Sequence, residues 1–170
     1  MSDRERLRFC QSIHPGPGMM AADIGCGTGQ WTRQLARWGV QVTGYDFSLR
    51  ALVQARTARP LPGLSYVQWD ANGARIPLQL QPRSLDLVTC RLSLAYLEVD
   101  RFLANVGRWL TSRGTFWALT PVEYPNRPHD RLHHGLTEEA IRDLTTGWAY
   151  ARTYRFGRRH RAIVLRGFGG

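Results

Sequence analysis

The sequence predicts an α/β fold in which a mostly parallel, seven-stranded sheet carries helices on both faces and ends in a C-terminal antiparallel hairpin. Two observations support this fold class. Short apolar runs alternate with segments of helical spacing along residues 19–120, which is typical of a parallel sheet covered by helices. Residues 148–166 then form two apolar runs joined by a short turn, which indicates a hairpin. A chain of 170 residues is about one domain's worth, so we expect a single domain over residues 1–170.

Seven runs have the length and composition of strands. Each is rich in apolar, β-branched or aromatic residues and is bounded by Gly, Pro, Asp or Ser. The first five belong to the alternating part of the chain, and the last two flank the predicted hairpin turn. The predicted strands are residues 19–24, 40–45, 64–69, 85–90, 115–120, 148–156 and 160–166.

The segments outside these strands differ in how strongly they predict a helix. Residues 31–38 and 101–110 carry apolar side chains at helical spacing, and residues 1–18 are expected to form an N-terminal helix. Thr137, which is followed by two glutamates, predicts the N-cap of a short helix. Two prolines interrupt residues 71–84, so that segment is predicted to be a loop.

The basic residues exclude one class of chemistry. All 23 are arginine, against 13 acids, so the chain has a formal charge of +10 and no lysine. A Schiff-base lysine, a phosphate-loop lysine and a lysine general base are therefore excluded. We attribute the use of arginine in place of lysine to coding bias in a GC-rich genome.

The excess of positive charge is concentrated at the C-terminal end. Six arginines and no acid lie in the last 27 residues, and such a surface can contact nucleic acid. We instead favour an ordinary strand whose aromatic side chains point inward and whose arginines point outward, so nucleic acid is the less favoured partner. The alternating residues are Tyr150, Tyr154, Phe156, Arg152 and Arg155.

Cysteine usage and hydropathy predict the compartment. Cys10, Cys26 and Cys90 are too few and too scattered for a disulfide framework, and they form no zinc motif. Residues 1–6 lack the apolar core of a signal peptide, and no apolar run approaches the roughly 18 residues that cross a membrane. We therefore expect a cytoplasmic protein with no membrane partner and no metal site.

A glycine-rich turn follows the first predicted strand. Gly25, Gly27 and Gly29 alternate with other residues and lead directly into a helix. Glycines allow a ligand to approach the backbone closely, and a helix N-terminus favours negative charge. Gln30 breaks the dinucleotide fingerprint G-x-G-x-x-G, which disfavours NAD. The turn therefore predicts a nucleoside ligand other than a dinucleotide.

Two acids follow the next two strands. Asp46 ends the second strand about 20 residues after the glycines, where a carboxylate can accept hydrogen bonds from a ribose diol. Asp70 ends the third strand, where it can accept a hydrogen bond from an exocyclic amine such as that of adenine. Three features at consecutive strand ends thus predict one nucleoside site.

These segments together resemble the ordered motifs of class I S-adenosylmethionine-dependent methyltransferases. The similar segments are residues 23–29, 44–48, 70–78, 84–88 and 101–116. The resemblance extends from residue 19 to about residue 120. It implies a Rossmann-like sheet and a methyltransferase that uses S-adenosylmethionine and releases S-adenosylhomocysteine.

The resemblance also implies roles for individual residues. The glycines would shape the loop around the methionine and ribose parts, Asp46 would bind the ribose hydroxyls, and Asp70 would hold the adenine amine beside Ala71. Asp23 would orient the amino-acid end, and Arg91 would line the methyl-transfer site. The full set of predicted cofactor-binding residues is Asp23, Gly25, Cys26, Gly27, Gly29, Asp46, Phe47, Asp70, Ala71 and Arg91.

The acceptor should lie beyond the carboxyl ends of the fourth and fifth strands, where ligands of open α/β sheets bind. The second of these regions, residues 121–135, is predicted to be a substrate-side loop. It contains Arg127 and Arg131, which suit an anionic acceptor, and two histidines that we do not expect to bind metal. The predicted catalytic residues are Arg91, Tyr96, His129 and His133.

Three functions remain open on the sequence alone. The first is methyl transfer to O, N or C of a small molecule in specialised metabolism, with an anionic molecule favoured. The second is an RNA or protein methyltransferase that docks through the basic hairpin. The third is a non-catalytic cofactor-binding module, because little chain precedes the first strand to form a lid. Residues 112–114 also depart from the family in lacking its Pro-Gly-Gly. A homodimer in which each protomer supplies the other's lid would suit so short a chain.

Overall fold

The computed structural model describes residues 3–123, 134–157 and 159–169. Within these ranges the chain forms five α-helices, a short 3-10 helix and one seven-stranded sheet. The strands are β1 (Met20–Ile24), β2 (Gln41–Asp46), β3 (Leu64–Gln68), β4 (Leu85–Arg91), β5 (Leu110–Pro121), β6 (Trp148–Phe156) and β7 (His160–Phe168). The helices are α1 (Asp3–Ile13), α2 (Gln30–Arg37), α3 (Leu49–Thr57), α4 (Val99–Trp109) and α5 (Glu138–Asp143), with the 3-10 helix at Leu94–Tyr96.

The sheet confirms the predicted fold class. Its strand order is β3-β2-β1-β4-β5-β7-β6, and the first five strands are parallel. β7 pairs antiparallel with both β5 and β6, which places the hairpin at one edge of the sheet. The strand order reverses direction between β1 and β4. In open α/β sheets this switch point is where ligands bind, beyond the carboxyl ends of the strands.

Two apolar clusters cover the two faces of the sheet. On the first face, α4 and α5 contribute Phe102, Val106 and Ile141 to one buried cluster. On the second face, α1 and α2 contribute Phe9 and Trp31 to the other. This second cluster includes T-shaped aromatic contacts, with Phe9 4.7 Å from the ring centroid of Trp31. α1 is therefore fixed against the sheet beside α2.

Two helices begin with a side-chain cap. Ser48 accepts a hydrogen bond from the backbone N–H of Ala51 at the start of α3. Thr137 accepts one from the N–H of Ala140 at the start of α5, which confirms its prediction as an N-cap. Residues 71–84 contain no helix, as their prolines predicted.

Two element boundaries differ from the prediction. The N-terminal helix, expected over residues 1–18, ends at Ile13, because His14 has a left-handed φ of 54° and precedes a proline. β5 begins at Leu110 rather than at residue 115. Leu110 pairs with Leu85 before the register shifts, so the turn-like residues 111–114 form an irregularity inside the strand.

The hairpin also corrects one side-chain prediction. Arg152 and Tyr154 are two residues apart in β6, so both project from the same face of the sheet. Tyr154 packs against the α1–α2 cluster, and Arg152 lines a cleft with Val164, a member of that cluster. The prediction that all arginines of β6 point away from its aromatic side chains is therefore wrong for Arg152. Arg155 lies on the opposite face by the same alternation.

No helix in the described ranges is both long enough and apolar enough to cross a lipid bilayer.

Candidate active site

The glycine turn joins β1 to α2 at the switch point. The backbone N–H groups of Gly25 and Cys26 donate to the carbonyl oxygen of Tyr45, at 2.8 and 3.0 Å, and so fix the turn to β2. Gly25 and Gly29 have left-handed φ values of 69° and 75°. A Cβ atom at Gly25 would collide with Ser93, and one at Gly29 would collide with Tyr66. Glycine is required at both positions by conformation and by space.

Asp46 connects the end of β2 to the glycine turn. One carboxylate oxygen, Oδ2, accepts a 2.7 Å hydrogen bond from the backbone N–H of Gly27. The other, Oδ1, accepts a 2.9 Å bond from the N–H of Ser48. Each oxygen of an ionised carboxylate has two acceptor sites, so both can accept a further hydrogen bond. Asp46 is thus held in position and retains the capacity to bind a vicinal diol.

A cavity of about 540 Å³ opens beside Asp46, between the ends of β1, β2 and β3 and the loop after β4. Its size is typical of small-molecule sites. Phe47 is 73% exposed beside it, a flat apolar ring next to a buried carboxylate. The predicted site residues that line this cavity are Gly25, Asp46, Phe47, Asp70, Ala71 and Tyr96.

Asn72 connects the two loops that form one wall of this cavity. Its Nδ2 donates to the carbonyl of Tyr96 at 2.9 Å, and its Oδ1 accepts from the N–H of Glu98 at 2.8 Å. The N–H of Asn72 donates in turn to Oδ1 of Asp70 at 2.9 Å. The loop after β3 and the loop after β4 are therefore held at a fixed distance. Asn72 is a site residue that motif spacing does not reveal, because its partners follow a different strand.

Tyr96 lies at the rim of the cavity. Its side chain is 47% exposed, and its hydroxyl oxygen accepts a 3.2 Å hydrogen bond from the backbone N–H of His134. The rings of Tyr96 and His134 meet edge to face with centroids 5.4 Å apart. Tyr96 therefore links the cavity to the C-terminal end of the predicted substrate-side loop.

A second cavity, of about 240 Å³, lies on the other side of Gly25. Asp23 lines it and is 1% exposed, with its two carboxylate oxygens accepting hydrogen bonds from the hydroxyls of Thr32 at 2.7 Å and Thr89 at 2.8 Å. Burial raises the pKa of Asp23 to about 6, although both threonine hydrogen bonds lower it. Cys26 also lines this cavity, and burial raises the pKa of its thiol, which keeps it neutral.

Arg91 faces Asp23 across this second cavity. Its guanidinium forms an ion pair with Glu5 of α1, with Nε 2.6 Å from Oε1 and Nη2 3.3 Å from Oε2. Glu5 is only 4% exposed, so α1 covers this side of the site. The N-terminal helix therefore contributes to the site through an ion pair that spans 86 residues of sequence.

Trp31 also lines this cavity. Its side chain is buried in the α1–α2 cluster, and among the described residues its solvent-inaccessible indole N–H has no hydrogen-bond acceptor. Arg91 offers donors for a carboxylate, and Asp23 offers an acceptor for an ammonium group. The second cavity therefore has the donor and acceptor set for the α-amino acid end of a ligand.

His160 is a neighbour of the site that the sequence did not reveal. It begins β7 and pairs with Pro121, the last residue of β5, so it lies at the carboxyl edge of the parallel strands. Burial lowers its pKa below the ordinary value of 6.5; the attraction of Glu5 opposes this, while Arg91 and Arg159 add to the lowering. His160 is therefore a neutral imidazole near pH 7, beside the Arg91–Glu5 pair.

We expect NMR titration of the imidazole protons to give His160 a pKa below 6.5. Glu5→Gln should lower that pKa further, because the substitution removes an attracting carboxylate and leaves Arg91 without its counter-charge. Glu139→Gln, at an exposed glutamate of α5, is the matched control and should not move it. A His160 pKa that rises in Glu5→Gln would contradict this electrostatic arrangement.

The remaining predicted residues have different outcomes. Gly29 is absent from the linings of both cavities and is instead the N-cap of α2, close to Tyr66. Cys26 and Gly27 line only the second cavity. His129 and His133, together with Arg127 and Arg131, lie outside the described residues, so their roles stay predictions.

Residues 22–118 match a family model described as a methyltransferase domain. The chain belongs to this family. Membership confirms the resemblance to class I S-adenosylmethionine-dependent methyltransferases that the motifs indicated. The matched residues contain the glycine turn, Asp46, Asp70 and Arg91, so the methyltransferase domain includes both cavities at the switch point.

Individual relatives are similar over part of their length. This chain is 32% identical over 92 residues to a ubiquinone biosynthesis O-methyltransferase of Albidiferax ferrireducens, covering 54% of this chain and 36% of the relative. It is 31% identical over 143 residues to a trans-aconitate 2-methyltransferase of Deinococcus radiodurans, covering 82% of this chain and 50% of the relative. The chain thus spans half or less of the length of these two relatives.

Solved structures share the fold. A crystal structure of an S-adenosylmethionine-dependent methyltransferase from Mesorhizobium loti superposes with a TM-score of 0.72 at 21% identity. The match covers 93% of this chain and 97% of that one. The Rossmann-like sheet of the methyltransferase domain is therefore shared with this structure nearly end to end.

Proposed function

We propose that this protein transfers a methyl group from S-adenosylmethionine to an O, N or C atom of a small molecule. One observation carries the proposal. Gly25, Asp46, Phe47, Asp70 and Ala71, which motif resemblance assigns to the cofactor, all line one cavity at the switch point. A second cavity with donors and an acceptor for an amino acid adjoins it at Gly25. Two adjoining subsites of these kinds match a ligand that joins a nucleoside to an amino acid.

The residues fit the two ends of S-adenosylmethionine. Asp46 would accept hydrogen bonds from the ribose diol, and Asp70 would accept one from the adenine amine. Asp23 would face the ammonium group, and Arg91 would face the carboxylate. The charges also agree, because the sulfonium and ammonium groups are cations and the two buried acids, Asp23 and Asp46, flank the glycine turn.

Methyl transfer from S-adenosylmethionine requires the protein mainly to align the acceptor with the methyl group. S-adenosylmethionine, when bound, supplies an electrophilic methyl group on a sulfonium centre. The chain's own residues then hold the acceptor in line and exclude water. Tyr96 and Asn72 keep the rim of the main cavity fixed, and α1 closes the far side through Glu5. A general base, where the acceptor needs one, could be His160, which is neutral at pH 7 and lies at this edge.

A small, anionic acceptor is the class we favour. The two curated relatives are named for ubiquinone biosynthesis and for trans-aconitate, which is a polycarboxylate. Arg127 and Arg131 of the predicted substrate-side loop suit such a group. Acceptor identity, the methylated atom and any dimerisation stay predictions.

Calorimetry and radiolabel transfer test the proposal together. S-adenosylmethionine and S-adenosylhomocysteine should each bind with one site per chain. Radiolabel from the methyl group should then enter the small-molecule fraction of a cell extract. Binding without transfer to any fraction would favour the non-catalytic module, and label in RNA or protein alone would overturn the small-molecule acceptor.

A further inference from the structure

A third cavity lies away from the cofactor site, between the C-terminal end of α1 and the β6–β7 hairpin. It has a volume of about 240 Å³, and we refer to it as the α1–hairpin cleft. Arg166 of its lining lies six residues along β7 from His160, or about 20 Å by the rise of a strand. The cleft is therefore separate from the two cavities at the switch point. Its lining residues are Gln11, Ser12, His14, Tyr150, Arg152, Val164 and Arg166.

The charge of the cleft is of one sign. Arg152 and Arg166 line it, and no aspartate or glutamate is among its lining residues. Arg152 makes no hydrogen bond or ion pair with any residue in the described ranges. Arg152 lies on the same face of β6 as Tyr150 and Tyr154, which is the face that borders the cleft. Its unpaired guanidinium therefore lines the cleft. An unpaired arginine in a concave site favours an anionic ligand.

Arg166 is held in place before any ligand binds. Its Nε donates to the hydroxyl of Thr115 at 3.0 Å, and its Nη2 donates to the carbonyl of Ser12 at 2.8 Å. The guanidinium also lies over the ring of Tyr150, 5.3 Å from the centroid. Two of its five N–H donors are used in these bonds, so three others are available. The donors of Arg166 are therefore oriented without the entropy loss that a mobile arginine would incur.

We propose that the α1–hairpin cleft binds a phosphate group, either free inorganic phosphate or a small phosphate monoester. Arginine matches phosphate oxygens with two parallel hydrogen bonds, and this cleft offers two arginines from adjacent strands. Tyr150 adds a hydroxyl donor from β6. A volume of about 240 Å³ holds a phosphate with a small substituent and is below the usual range for drug-sized ligands.

Calorimetric titration at constant ionic strength tests this site, with sodium chloride replacing phosphate in the reference. The probes are inorganic phosphate and glycerol 3-phosphate. The one that binds more tightly shows whether the site takes free phosphate or a phosphate monoester. We expect saturable binding with one site per chain. Arg152→Gln should weaken it at least tenfold, because the unpaired guanidinium contributes a charge-assisted bond.

Arg155→Gln is the matched control, since it removes the same charge from the opposite face of the same strand. It should change the affinity less than twofold. Arg152 is exposed, so thermal melting without phosphate should be unchanged in Arg152→Gln, and S-adenosylmethionine affinity should be unchanged as well. No saturable binding of either probe would overturn the site. Equal weakening by Arg152→Gln and Arg155→Gln would also overturn it, because that result indicates diffuse attraction by the basic hairpin.

Discussion

Asp46→Ala is expected to weaken the binding of S-adenosylmethionine by at least about tenfold. Asp46 is assigned to the ribose diol, and a hydrogen bond to a charged group contributes about 1.5–3 kcal/mol, where about 1.4 kcal/mol is a tenfold change in affinity. The substitution also removes the acceptor that fixes Gly27 and Ser48. The glycine turn would lose one of its ties to β2, so the loss should exceed that of a single ligand contact. Calorimetric titration of wild type and variant measures the change.

Asp86→Ala provides a matched control for this experiment. Asp86 also accepts a hydrogen bond from a backbone N–H, that of Met20 at 3.0 Å. It does so at the start of β4, at the edge of the sheet opposite the site. We expect a similar loss of stability and an unchanged affinity for S-adenosylmethionine. Unchanged affinity in Asp46→Ala itself would show that the ribose lies elsewhere.

The ligand-facing half of the site could be predicted because its signals are local in sequence. A strand that ends in Gly25 and strands that end in Asp46 and Asp70 each carry their own evidence, and parallel strands bring their carboxyl ends to one edge. The cap at Ser48 is equally local, since it joins residues three apart. The alternation of strands and helices likewise predicted the parallel direction of the first five strands, but not their order in the sheet.

The other half depends on contacts between distant elements. Glu5 reaches Arg91 across 86 residues because α1 packs against the sheet beside α2, and no spacing rule predicts that pairing. Asn72 joins two loops that follow different strands. His160 reaches the site because β7 runs antiparallel, which brings the beginning of that strand to the edge where the parallel strands end. The hairpin was predicted, but the antiparallel pairing of β7 with β5 was not, so the sequence did not place His160 at that edge.

In the hairpin, the alternation of aromatic residues and arginines along β6 led to a wrong prediction of the face on which Arg152 lies. Aromatics and arginines interleaved in β6 suggested one apolar and one charged face. Tyr154 and Arg152 are separated by two residues, however, and therefore share a face. Arg152 is accommodated there because α1 ends at Ile13 and leaves a cleft beside it. A helix extending to residue 18 would have altered this part of the surface.

Asp23→Asn is expected to raise the free energy of unfolding at pH 7.5 by up to about 3 kcal/mol. Burial raises the pKa of Asp23 from 3.8 to about 6, so the folded protein binds more protons than the unfolded chain between those values. The free energy of unfolding therefore falls as pH rises through this range, and above pH 6 the full penalty of about two pKa units is present. An asparagine carries no charge and can still bond to Thr32 and Thr89, so it avoids this penalty.

The same substitution should weaken the binding of S-adenosylmethionine, because it removes the anion assigned to the ammonium group. Urea unfolding at pH 4 and pH 7.5 measures the effect on stability separately from the effect on binding. The gain in the free energy of unfolding should appear at pH 7.5. It should be nearly absent at pH 4, where Asp23 is largely protonated in the folded protein. Asp86→Asn makes the same acid-to-amide change at the opposite edge of the sheet and should show no such gain. An Asp23→Asn variant with the same stability difference at both pH values would mean that the buried carboxylate carries no ionisation penalty. The expected result is a gain in stability together with a loss of affinity for S-adenosylmethionine. It would indicate that the fold retains the buried carboxylate of Asp23, at a cost in stability, in order to bind the ligand.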